Sequence, residues 1–175
     1  DHPTAVVWCA MDTEEEMFYV YDCYRASKAS PAVHSEVIRG RPHFIPIVYP
    51  HDGNRRDSMG NPGLADQYRN LGCNFLLEHF TNPPALGNNK GSNSVEEGIM
   101  ALLQAMEKGK FKVFSTLGDW FEEFRMYHRK QNKVVPFRDD LMSATRYAFQ
   151  SQRHSVAGKD PTWTQDVEYR NYGII

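Results

Sequence analysis

Apolar and polar positions alternate in blocks along this chain, and the blocks predict a sheet built before most of its helices. Residues 4–11 (TAVVWCAM) and 17–24 (MFYVYDCY) are dense in β-branched and aromatic side chains, the composition of strands. The polar stretch 12–16 between them is short, so the two strands are expected to pair as an antiparallel hairpin. Residues 31–39 predict a helix, with Pro31 at its first position, Ser30 able to cap it and Gly40 stopping it. Residues 44–49 (FIPIVY) are nearly all apolar and suit a strand covered on both faces, although Pro46 removes one ladder donor.

Beyond this point strands and helices alternate. A turn-rich loop at 50–63 leads to a short helix at 64–71, ended by Gly72, and a strand-like run at 74–77. The loop 81–93 is rich in Gly, Pro and Asn and reads as mobile. Ser94-Val95-Glu96-Glu97 caps a helix running to Lys108, whose apolar stripe is Ile99, Leu102, Leu103 and Met106. A strand at 111–114, a helix at 117–128 bearing Trp120, Phe121 and Phe124, a hairpin turn at Gln131-Asn132 and a helix at 139–151 follow. Periodicity is lost from about residue 152 to 175, where Trp163, Tyr169 and Tyr172 suit a docking segment or a tail without structure. Two antiparallel strands followed by strand–helix alternation imply an α/β domain with a mixed sheet and helices on both faces.

The chain has 175 residues, 41% hydrophobic and 24% charged, as expected of one soluble globular domain. Three cysteines without a CxxC pair argue against a disulfide framework or zinc knuckle, and Cys9 and Cys23 read as small apolar side chains. The net charge of −2 gives no support for a dedicated nucleic-acid binder, so any DNA affinity must come from local patches or another domain. The opening Asp1-His2-Pro3 runs directly into a strand pattern, which suggests a piece of a longer protein.

Two acidic positions draw attention. Asp52 follows the apolar run 44–49, and ligands of open α/β sheets gather beyond the carboxyl ends of strands. Gly53 would let the backbone turn away behind it. Position alone leaves open that Asp52 is an Asx-turn residue. Asp140 stands in the first turn of the 139–151 helix beside the stripe Leu141, Ala144 and Ala148, and Asp139 is the natural N-cap. That pair could equally serve only to cap the helix. Carboxylates converging at one sheet edge would repel unless a cation joined them. Hard divalent ions take such oxygen ligands, and two of them ~4 Å apart suit phosphodiester cleavage.

The segments Tyr49-Pro50-His51-Asp52-Gly53, Lys112-Val113-Phe114-Ser115-Thr116, Phe124-Arg125-Met126-Tyr127-His128-Arg129-Lys130 and Asp139-Asp140-Leu141-Met142-Ser143-Ala144 resemble the nuclease half of phage terminase large subunits of the headful-packaging kind. Asp1-His2-Pro3-Thr4-Ala5 and Tyr19-Val20-Tyr21-Asp22 are similar to the opening of that domain. The resemblance implies an RNase H-like mixed sheet of five or more strands flanked by helices, over residues 1–151, with 152–175 as a tail. It implies a metal-dependent endonuclease cutting concatemeric double-stranded DNA, with Asp52 and Asp140 as catalytic ligands of two Mg²⁺ or Mn²⁺ ions. A third aspartate, in the family's first strand, would lie just before Asp1.

The same resemblance implies an N-terminal ATPase motor on the same polypeptide, a small subunit and a portal protein as partners, and action in the host cytoplasm on the procapsid. No phosphate-binding loop of the GxxxxGK[ST] type occurs in these residues. Arg55, Arg56, Arg125, Arg129 and Lys130 are candidates for DNA phosphates, against solvated-surface and helix-dipole readings. His51 and Asp139 are candidates for supporting the metal ligands; Glu96 and Glu97 read as a cap. Two other readings stay open: an RNase H-like nuclease acting on DNA junctions or RNA–DNA hybrids, and a non-catalytic module docking to DNA or portal.

Overall fold

The computed structural model describes residues 3–56, 60, 62–84, 91–131 and 133–157. Strands β1 (Thr4–Asp12) and β2 (Met17–Ala26) form the expected antiparallel hairpin, in register from Thr4↔Ala26 to Asp12↔Met17 with a bulge between Trp8 and Cys9. Asp12 makes the turn: its Oδ1 accepts the N–H groups of Glu14 and Glu15 at 3.0 and 3.2 Å. Strand β3 (Phe111–Val113) joins the free edge of β2 in parallel, giving a mixed sheet of order β1-β2-β3.

Helices cover both faces, and alternation along β1 decides which side chain meets which. Ala5, Val7, Cys9 and Met11 face a core of Phe18, Val20, Phe111, Trp120, Leu141 and Met142. That core is closed by α3 (Val95–Glu107), α4 (Gly118–Met126) and α5 (Asp140–Gln150). Val6 faces the other side, where α1 (Pro31–Arg39) and α2 (Leu64–Asn70) bring Ile38 and Tyr68 against Cys73, Ile47 and Phe75. Leu141, with no exposed surface, anchors α5; burying a leucine contributes about 1.5–3 kcal/mol.

Several expectations change in detail. Residues 44–49 do not form a buried strand. Ile45 N–H closes a turn onto the Pro42 carbonyl, Pro46 has no donor, and Phe44 is 39% exposed. What remains is one parallel bridge, Ile47↔Phe75, so the described residues pair three strands in the main sheet, not five. Ser30 occupies the N-cap of α1 without a side-chain hydrogen bond, and Gly40 ends the helix in right-handed geometry. Ser94 does cap α3, accepting the Glu97 N–H at 3.4 Å. A small ribbon, β4 (Arg129–Lys130) with β5 (Lys133–Val134), turns through Gln131 at φ 51°; Asn132 lies outside the described residues. The 139–151 helix continues into a 3-10 turn, Gln152–His154; the tail aromatics Trp163, Tyr169 and Tyr172 lie outside the described residues.

Candidate active site

A cleft of about 390 Å³ opens where β1 begins, β2 ends and the chain enters α5. Its walls include Pro3, Arg25, Ser27, Arg138, Asp139 and Asp140. Asp140 is the first residue of α5 and half-buried, so its carboxylate stands at the positive end of a helix dipole. Asp139 holds the N-cap position but its side chain makes no capping bond. The cap comes from another helix: Glu123 Oε2 accepts the Leu141 N–H at 2.7 Å.

Glu123 is fully buried, and its other oxygen accepts Arg25 Nη1 at 2.7 Å. Arg25 Nη2 reaches Glu122 at 3.2 Å, and Glu122 accepts Arg138 Nη1 at 2.5 Å. Hydrogen bonding to Glu123 raises the Arg25 pKa above its ordinary value. The Arg25 bond, followed by the charge of Arg138, holds the Glu122 carboxyl below its ordinary range. None of Arg25, Glu122 and Glu123 was singled out by motif. One signal was present: Glu123 lies three residues after Trp120, on the face of α4 that Trp120 buries. A charge there requires a partner.

Asp52 lies on a different element. It occupies a 3-10 turn, His51–Asn54, closed by Gly53 N–H to the Pro50 carbonyl at 3.0 Å, and is exposed. The glycine behind it serves a different purpose from the one expected. Gly53 does not adopt a left-handed conformation; a Cβ there would fall 2.7 Å from the Tyr49 ring. The Tyr49 hydroxyl lies 3.0 Å from both Asn54 Oδ1 and the Leu77 carbonyl, and receives Arg69 Nη2 at 2.8 Å. The turn is therefore fastened to α2.

Asp52 is not among the residues lining the cleft at Asp140. Among the described residues, no group of three or more His, Cys, Asp or Glu is disposed to hold a metal. The two regions are linked through Phe80, whose N–H donates to the Tyr49 carbonyl at 2.7 Å and whose ring lies 4.6 Å from that of Tyr147. Tyr147 is two turns along α5 from Asp140, about 10 Å in axial rise.

Of the basic candidates, Arg55, Arg56, Arg125 and Lys130 are exposed. Arg129 is already paired, 2.6 Å from Glu96. His51 meets His79 edge-on at 6.4 Å. Glu97 does more than cap: its Oε2 accepts Asn82 Nδ2 at 3.1 Å and the Ser92 hydroxyl. Cys9 and Cys23 both pack against the sheet core, and burial raises each thiol pKa.

Comparison with known proteins adds four findings. The family model described as Terminase RNaseH-like domain matches residues 1–152. The terminase large subunit of Salmonella phage P22 is 35% identical over 161 residues, which cover 91% of this chain and 31% of that protein. The corresponding subunit of Enterobacteria phage LP7 is 36% identical over 150 residues, covering 85% and 30%. The chain thus spans under a third of the length of these relatives. The solved P22 large terminase nuclease domain superposes with a TM-score of 0.76 at 35% identity, covering 87% of this chain and 76% of that one.

Proposed function

Because this chain belongs to the terminase RNase H-like domain family and has an RNase H-like fold, we propose that it is the nuclease domain of a phage terminase large subunit, acting as a divalent-metal-dependent endonuclease. Its substrate on this reading is concatemeric double-stranded DNA, cut with little sequence preference during packaging. The observation that carries the reading is the placement of Asp140 at the fixed N-terminus of α5, in the wall of an open cleft.

The donor chemistry suits a hard cation: among the described residues lining the cleft, the acidic groups are the carboxylates of Asp139 and Asp140, without a thiol or imidazole, and Arg25 and Arg138 line it beside them. Mg²⁺ commonly needs one or two carboxylates together with water and substrate phosphate. Asp140 and Asp52 would hold two Mg²⁺ or Mn²⁺ ions, completed by an aspartate of a first strand preceding Asp1 in the parent chain. Such ions supply charge neutralisation and Lewis acidity at the scissile phosphate. Asp139 and His51 would orient the ligands beside them.

Arg55, Arg56, Arg125 and Lys130 are exposed and free to meet backbone phosphates; Arg129 would first exchange its Glu96 partner. Contacts to phosphate position a duplex without reading its bases, which supports weak sequence preference. The relatives extend well beyond the matched region, which leaves room for the ATPase motor that this reading places on the same polypeptide. The small subunit and portal would be further partners, with action on the procapsid in the host cytoplasm.

The experiment is cleavage by the full-length chain of linear duplex, four-way junctions and RNA–DNA hybrids, with Mg²⁺, Mn²⁺ or EDTA. Metal-dependent cutting of plain duplex is expected. Preference for junctions or hybrids would move the assignment to another RNase H-like nuclease, and no cutting under any condition would leave a docking module.

A further inference from the structure

The entry into α5 is held from outside the helix. Arg138 adopts φ 48°, a left-handed conformation that non-glycine residues keep only where their surroundings impose it. Three residues later the Leu141 N–H, one of the donors that a helix start cannot satisfy internally, is taken by Glu123 of α4. Residues on both sides of Asp139 and Asp140 are therefore gripped by neighbouring glutamates: Glu122 takes Arg138 and Glu123 takes Leu141. Arg25, at the end of β2, bridges the two carboxylates at 3.2 and 2.7 Å. The clamp joins sheet, α4 and α5 at the cleft wall.

We infer that Glu123 is a positioning residue for the acidic pair, fixing the first turn of α5 so that Asp140 presents to the cleft, with Arg25 as its counter-ion. Glu123 itself does not face a ligand; both oxygens are occupied within the fold. A buried carboxylate is costly to retain for packing alone, and an apolar residue between Trp120 and Leu141 would serve a purely structural contact. Its charge has a use here. It accepts a backbone donor at the positive end of α5 while balancing Arg25, so that Arg25 lines the cleft without competing as a free cation for Asp140. This inference rests on the reading of Asp140 as a metal ligand.

The test uses the full-length chain and Mn²⁺ alone as probe, followed by calorimetry, with amide exchange at Leu141 and plasmid nicking as further readouts. In the wild type the Leu141 amide is expected among the slowly exchanging set; exchange at the rate of loop amides would overturn the clamp without any mutation. Glu123→Gln keeps an acceptor for Leu141 but loses the charge, and Glu123→Ala loses both. Loss of an outer-shell partner typically weakens metal binding ~10–100-fold. The expected order of Mn²⁺ affinity is wild type, then Gln, then Ala, with kcat for nicking falling in step and KM for DNA unchanged. Ile38→Val, on the opposite face, serves as a stability control and keeps wild-type affinity. Wild-type Mn²⁺ affinity in folded Glu123→Gln and Glu123→Ala would overturn the positioning role. If Asp140→Asn binds Mn²⁺ as well as wild type, the ligand reading itself fails, whereas Leu141 exchange still reports on the clamp.

Discussion

The indole N–H of Trp120 donates to the Thr145 hydroxyl at 2.8 Å, and that hydroxyl donates in turn to the Leu141 carbonyl at 2.7 Å. Both side chains are almost without solvent, 2% and 1% exposed, so the relay fastens α4 to α5 inside the core. Thr145→Val keeps the shape but removes the acceptor, leaving a buried indole donor unpaired at a cost of about 1–3 kcal/mol. Thr145→Ser keeps the relay and loses only a methyl group. Urea denaturation should therefore rank wild type above Ser above Val. A valine variant as stable as wild type would show that the indole finds another partner.

Acid sensitivity should trace in part to Glu122. Its carboxyl is held below the ordinary range, first by the hydrogen bond from Arg25 and then by Arg138. A carboxyl whose folded pKa is lowered binds protons more weakly than it does unfolded. It therefore adds stability above the unfolded value, and that contribution disappears as pH falls through the folded value. The side chain is 44% exposed, so solvent keeps the effect small. Glu122→Gln should lower Tm slightly near neutrality and flatten its fall as pH drops through the carboxylate range, so that variant and wild type converge in acid. An acid limb as steep as wild type would assign the sensitivity to other carboxylates.

The parts legible in the sequence were those whose cause is local. The β1–β2 hairpin, the Ser94 cap of α3 and the apolar stripe of α5 follow from neighbours a few positions apart, and the structure has all three. The 44–49 segment misled because its apolar character reports burial and not pairing. Pro46 and the turn onto Pro42 decide against a strand, leaving the single bridge at Ile47. At the cleft, the first-turn placement of Asp140 was legible from the helix pattern. Its clamp was not, because Arg25 and Glu123 are 98 positions apart and meet only once β2 and α4 pack. Asp139 illustrates the same limit: the N-cap position was readable, but a carboxylate from α4 occupies the bond it was expected to make.

The turn that carries Asp52 depends on Gly63, which precedes α2. A Cβ at Gly63 would lie 2.7 Å from the Asn54 carbonyl carbon and 2.8 Å from the Gly53 oxygen, both backbone atoms that no rotamer change can move. Gly63→Ala should push His51–Asn54 away from α2, at a cost of about 1–3 kcal/mol typical of overpacking. If Asp52 acts as proposed, nicking should fall more than the lost stability explains at a temperature where the variant remains folded. Thermal unfolding and nicking measured on the same preparation check this. A variant with wild-type stability and activity would mean that the turn is free to shift.

Asp52→Asn and Asp140→Asn test the reaction itself. Asparagine keeps the size of each side chain and removes the charge that a cation requires. For Asp140 the folding cost should stay near the ~0.3–1 kcal/mol of a lost charge at a helix start, and exposed Asp52 should cost less. The catalytic cost should be larger, because metal-derived stabilisation of the transition state is worth several kcal/mol, or about 10³-fold in rate. Plasmid nicking in Mn²⁺ should therefore collapse in both variants while their thermal unfolding stays close to wild type. The acids lie on separate elements, α5 and the turn after Tyr49, so equal loss from both would argue that they serve one reaction centre. If only Asp140→Asn loses activity, the metal site is built on α5 without Asp52. Wild-type nicking by folded Asp140→Asn removes the nuclease assignment from this cleft.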